Sequence, residues 1–111
     1  MHPAPTPEQR AALFERTRAL VVPLVIRYAT QMDLQPADVK VTGAEHRFGS
    51  CSGRNSLCFS FRLADYPIEA VEYVVVHELA HIAEKNHGPR FYALVASILP
   101  DYKARERLLR Q

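Results

Sequence analysis

Residues 74–87, VVVHELAHIAEKNH, constrain this chain more than any other stretch. His77, Glu78 and His81 there spell H-E-x-x-H. Successive residues of an α-helix turn by about 100°, so the two histidines stand about 40° apart, one turn above the other. Imidazoles so placed can both reach a zinc ion at about 2.0–2.1 Å and supply half of a tetrahedron. Glu78 is next to them on the wheel, close enough to take a proton from a water on the ion without being an evident ligand. The segment has to be helical for this to hold, and its apolar spacing supports that. Ile68, Val71, Val75, Leu79 and Ile82 fall on one core-facing stripe. The histidines lie about 180–220° from Ile68, on the other side. Ala70 and Val74 share that side, so it is not a simple solvated face.

A third ligand is expected where the helix stops, and His87 is the best candidate. Continued as helix, His87 would sit about 240° around from His81 and could not join it. Asn86 and Gly88 tolerate the left-handed conformation that ends helices, and Pro89 suits the first turn of a new one. A chain reversing there would swing His87 back beneath the first pair. Cys51 or Cys58 is the rival, since thiolates also bind zinc. Three protein ligands and an open fourth position is the catalytic form of zinc.

A length of 111 residues fits one domain, 1–111, with one core and little to spare. No apolar run approaches the roughly 18–20 residues of a membrane span. The N-terminus, MHPAPT, shows no basic region leading into an apolar stretch, so no secretory signal is read and a cytoplasmic setting is expected. Two cysteines make no disulfide framework and fit reduced thiols. A net charge of +2 does not by itself indicate nucleic acid. Lys103, Arg105, Arg107 and Arg110 do crowd the C-terminus against one acid, Glu106. The spacing fits the solvated face of a terminal helix, with a contact to phosphates or an acidic partner as the other reading.

In chain order, Thr6, Pro7 and Gln9 open a first helix with a capping box. That helix runs to about Met32, and Pro23 must kink or split it. A connection follows over 33–38. Strands are expected at 39–41, at 45–48 and at 57–61, with a Gly/Ser turn at 49–53. The motif helix runs from Pro67 to about Lys85, the next starts at Pro89, and a short last helix covers 102–110. No internal repeat is visible.

These pieces together carry a resemblance: Arg47-Phe48-Gly49-Ser50-Cys51-Ser52, the strand leading to Leu63, residues 73–81, Asn86-His87-Gly88-Pro89-Arg90-Phe91, and Pro100-Asp101-Tyr102. From about Val22 to Leu108 the chain resembles the YgjP-like metallopeptidase family, which is related to SprT-like proteins and minimal zincin cores. The resemblance implies an α+β zincin-type core: an N-terminal helix, a small three-stranded and mostly antiparallel sheet, the H-E-x-x-H helix beneath it, and C-terminal helices. It also implies one zinc ion held by His77, His81 and His87, with Glu78 as general base. Phe48 stands where the family usually has Trp. Ser60 stands where it usually has Asn, and is carried as a candidate substrate contact. The extra N-terminal domain of many bacterial members is not expected here, so the resemblance is to the catalytic core alone.

The activity expected is zinc-dependent hydrolysis of a peptide or protein substrate. The strand 57–61 would pair with an extended substrate, and Arg47, Tyr73 or Tyr92 would stabilise the oxyanion. Two alternatives remain. One is a metal-dependent phosphoanhydride hydrolase using Arg47, Arg54 and Arg90. The other is a latent, non-catalytic zinc-binding module that meets partners or further copies of itself. Neither a membrane nor a nucleic acid is indicated.

Overall fold

The computed structural model describes residues 4–110. Met1, His2 and Pro3, part of the stretch read for a secretory signal, and Gln111 lie outside them. The first helix, α1 (Pro7–Met32), is capped as expected. The Thr6 hydroxyl accepts from the Gln9 backbone at 3.1 Å, and the Gln9 side chain accepts from the Thr6 backbone at 2.9 Å. α1 is not split at Pro23. Pro23 and Ala19, whose carbonyl loses its partner there, both face solvent, so the missing donor leaves no buried carbonyl unpaired. Asp33 ends the helix in the left-handed conformation, φ 55°.

Three strands follow: β1 (Asp38–Thr42), β2 (Gly49–Cys51) and β3 (Ser56–Ser60). They form one sheet in the order β1-β3-β2. The expectation of a mostly antiparallel sheet needs correction: β2 pairs antiparallel with β3, but β1 pairs parallel with it, Val39 beside Leu57 and Val41 beside Phe59. After β1 the chain crosses over before it forms the β2–β3 hairpin, and β3 returns between the other two. The end of β3 holds that crossover, with the Ser60 backbone N–H donating to Phe48 O and the Ser60 hydroxyl to Ala44 O. Residues 45–48, read as a strand, belong to the crossover, and the stretch read as a turn supplies β2. The real turn lies at 52–55, where the Ser52 hydroxyl accepts from the backbone of Arg54 and Ser56 and Asn55 takes φ 68°. A short 3-10 turn, Phe61–Asp65, leads out of the sheet. Buried Thr17 pins it to α1, donating to Phe61 O at 2.8 Å and accepting from the Ala64 backbone at 3.2 Å.

Beneath the sheet runs α2 (Ile68–Ala83), followed by α3 (Pro89–Ile98) and α4 (Tyr102–Leu108). Val71, Val75 and Leu79 of α2 are fully buried, together with Leu57 and Phe59 of β3, Val21 of α1 and Val95 of α3. Ile68, placed on the core stripe by its spacing, is instead exposed at the helix start. Ala70, Val74, Val76 and Ala80 are buried as well, so α2 is enclosed on nearly every side. Among the described residues no helix is long and apolar enough to cross a membrane.

Candidate metal centre and cleft

α2 stops at Ala83 because Glu84 turns extended, at φ −130° and ψ 104°, its N–H still bonded to Ala80 O. The reversal therefore needs no left-handed residue: positive φ occurs only at Asp33 and Asn55 among the described residues. A short bend over 84–88 brings His87 back to His77 and His81. One ring nitrogen from each of the three falls within 4.8 Å of the others, and His81 Nε2 lies 2.8 Å from His87 Nε2. Phe91, at the start of α3 and fully buried, is the ring around which the three imidazoles gather. Its centroid is 5.0 Å from His77, 4.5 Å from His81 and 4.8 Å from His87.

The donor set fits a borderline-soft divalent ion such as zinc. His81 Nδ1 faces the carbonyl of Glu84 at 3.2 Å, which keeps the proton on Nδ1 and leaves Nε2 as the lone pair. Burial holds the His81 pKa below the ordinary imidazole value, favouring the neutral ring that a metal requires. Two nitrogens each about 2.0–2.1 Å from a zinc ion stand about 3.3 Å apart, so the His81–His87 pair need open by only about half an ångström. His87 is exposed, on an extended bend, and free to make that adjustment. Neither cysteine belongs to the cluster, and both are unpaired.

Glu78 is 5% exposed, and its Oε2 lies 3.2 Å from His77 Nδ1. It opens into a cavity of about 310 Å³ that His77, Tyr73 and Val74 of α2 share with Phe48, Gly49 and Leu109. Gly49 of β2 backs directly onto the Glu78 side chain. On the far wall, Tyr73 donates its hydroxyl to Glu106 Oε2 of α4 at 3.3 Å. Burial first, and the Glu106 carboxylate next, raise the Tyr73 pKa, so its hydroxyl stays a protonated donor at neutral pH.

Of the candidate substrate contacts, only Tyr73 shares the cavity of His77 and Glu78. Arg47 and Ser60 line a separate cleft of about 240 Å³. The Ser60 hydroxyl, buried, donates to Ala44 O at 2.7 Å and accepts from the Arg62 backbone at 3.1 Å, so it secures the chain there. Tyr92 is half exposed and stacks at 6.2 Å on His87, outside the cavity. Arg54 lies in the hairpin turn and Arg90 faces Glu84 at 3.6 Å, and none of Arg47, Arg54 and Arg90 lines the cavity of His77 and Glu78. The strand 57–61 also cannot pair with a substrate as expected: β3 is the central strand, bonded on both sides, and β2 is the edge beside the cavity.

Four features of the site escaped the sequence reading: Phe91, Gly49, Glu106 and the mooring of α4. Arg105, read as one of a run of solvated cations, turns inward. It bonds Asp101 at 2.8 Å, Glu72 at 3.2 Å and the Glu69 carbonyl at 3.2 Å, tying α4 to α2. Tyr28 of α1 donates to the same Glu72 at 2.6 Å. Only the placement of Phe91 directly after the His87 bend could have flagged any of these.

The family model of the YgjP-like metallopeptidase domain matches residues 7–111. No curated protein matches the chain. Among solved structures, the crystal structure of the metallopeptidase zymogen of Pyrococcus abyssi abylysin superposes with a TM-score of 0.72 at 19% identity. The match covers 80% of this chain and 90% of that one. It is a likeness of fold, and agrees with an α+β zincin-like core.

Proposed function

Because the chain belongs to the YgjP-like metallopeptidase family, we propose that it hydrolyses peptide bonds with one zinc ion held by His77, His81 and His87 and with Glu78 as general base. The observation that carries this reading is a buried carboxylate, Glu78, opening into the same cavity as one of three convergent imidazoles. When bound, zinc would supply Lewis acidity, lowering the pKa of water toward about 7 and polarising a carbonyl. The remaining work falls to the chain. Glu78 accepts the proton of the attacking water and returns it to the leaving amine. Apolar walls from Val74, Phe48 and Leu109 limit water around that carboxylate, which strengthens every charge interaction there. Tyr73, protonated and in the same cavity, is the best placed of the three candidate donors, and would give up its 3.3 Å bond to Glu106 in order to donate to the oxyanion. The free edge of β2 offers main-chain groups to an extended peptide or protein substrate. A cytoplasmic setting is part of the proposal, and two free thiols are compatible with it.

The test is Glu78→Gln with metal content and turnover measured on the same sample. Turnover should fall by about 10²–10⁴-fold with zinc retained. Unchanged turnover, or loss of the metal, would remove Glu78 from the role of base.

A further inference from the structure

We propose that a basic, tyrosine-walled cleft between α3 and α4 selects peptides carrying acidic side chains near the bond to be cut. The inference rests on the peptidase reading and adds the class of substrate.

The cleft measures about 430 Å³ and is lined by Tyr92, Tyr102, Lys103, Glu106, Arg107 and Arg110. Glu106 and Arg110 also line the cavity that holds His77 and Glu78, so the two chambers adjoin along α4. An aromatic floor links the cleft to the metal centre. The Tyr92 ring stacks on His87 at 6.2 Å and 28°, and on Tyr102 at 6.0 Å and 25°.

The charges are unbalanced. Arg110 lies 3.5 Å from Glu106, the only carboxylate in the lining among the described residues. Arg105, the remaining cation of α4, is occupied with Asp101 and Glu72 on the inner face. Lys103 and Arg107 are exposed, one helical turn apart, and neither has an ion pair among the described residues. Two unengaged cations over an aromatic floor complement a carboxylate side chain with an apolar stem. A peptide held at Glu78 would meet this chamber across the wall shared by Glu106 and Arg110. Two free cations beside a carboxylate make a poor track for a phosphate backbone, which favours a peptide over a nucleic acid.

The experiment uses matched peptides in which Glu replaces Gln at each of three positions on either side of the cleaved bond. At one or more positions kcat/KM should favour Glu by on the order of tenfold at low salt, with the preference shrinking as salt is added. Lys103→Gln with Arg107→Gln should bring that ratio near one, and Lys103→Glu with Arg107→Glu should invert it. A second measurement does not depend on turnover. Zinc-loaded Glu78→Gln protein should bind a fluorescent Glu-rich peptide, and the double reversal should weaken binding by on the order of tenfold.

Equal handling of Glu and Gln peptides, or a ratio that the double variants do not move, overturns the proposal and leaves the peptidase reading intact. A single-stranded oligonucleotide that displaces the acidic peptide and binds more tightly overturns it too. Acidic peptide held through Lys103 and Arg107 but never cut by zinc-loaded protein sustains the cleft and removes the peptidase reading.

Discussion

A methyl group on Gly49 would stand 3.0 Å from Cγ of Glu78 and 3.1 Å from its Oε2. It would also stand 3.2 Å from the backbone carbonyl of Cys58. Gly49 has an ordinary negative φ, so the constraint is steric rather than conformational. The edge strand and the carboxylate occupy the same few ångströms only because β2 carries no side chain at that point.

Gly49→Ala therefore tests the placement of Glu78. The strand cannot retreat from the methyl without straining its pairing with β3, so the carboxylate must shift. A displacement of a few tenths of an ångström should lower kcat by roughly three- to tenfold, while zinc content stays at the wild-type level. Wild-type turnover in this variant would show that Glu78 does not need the position it occupies.

His87→Ala separates metal retention from folding. The side chain is exposed and its ring contacts are with His77, His81, Phe91 and Tyr92, so stability of the metal-free protein should change by no more than about 0.5 kcal/mol. Zinc retained through dialysis against a chelator should fall sharply, because two imidazoles do not make a closed protein site. Metal analysis beside thermal unfolding reads both, and full zinc occupancy in the variant would eliminate His87 as a ligand.

Arg105→Ala should loosen α4. The substitution removes the Arg105 contact from Glu72, a residue whose side chain is 15% exposed, and leaves it with Tyr28 and a long, exposed approach from Arg27 at 3.7 Å. A loss of about 1.5–3 kcal/mol in urea unfolding is expected. Because Glu106 sits on the same helix and Leu109 caps it, substrate KM should rise as well. A variant as stable as wild type would show that α4 is held by its apolar contacts alone.

Alkaline pH offers a further check. Burial first, and the hydrogen bond to Glu72 next, raise the Tyr28 pKa above its ordinary value of 10.0. Above pH 10 the unfolded chain then releases a proton that the folded chain keeps, so the folded state binds more protons and stability falls as pH rises. Below pH 10 the group adds no slope. Tyr28→Phe should flatten the decline above pH 10 in denaturant titrations repeated from pH 8 to pH 11; an identical slope would assign the alkaline loss to other groups.

How far the site was legible depended on how local its parts are. The capping box at Thr6 and Gln9, the helices starting at Pro7 and Pro89, and the facing of His77 and His81 all follow from residues within about one helical turn of each other. β2 was missed because Gly49-Ser50-Cys51 has the composition of a turn, and only its pairing with Leu57, Cys58 and Phe59 makes it a strand. The parallel register of β1 on β3 was missed for the same reason: strand order depends on the path of the crossover, which no local period encodes.

The amino-acid sequence alone determined the helices, the two histidines one turn apart, and the carboxylate between them, since a repeat of 3.6 residues is a property of the chain itself. Folding in three dimensions decided what surrounds them. It placed Phe91 behind all three imidazoles, set a bare glycine against Glu78, and turned Arg105 inward while leaving Lys103 and Arg107 outward. Those relations join segments that are distant along the chain, and they exist only because burying one shared core forces the segments together.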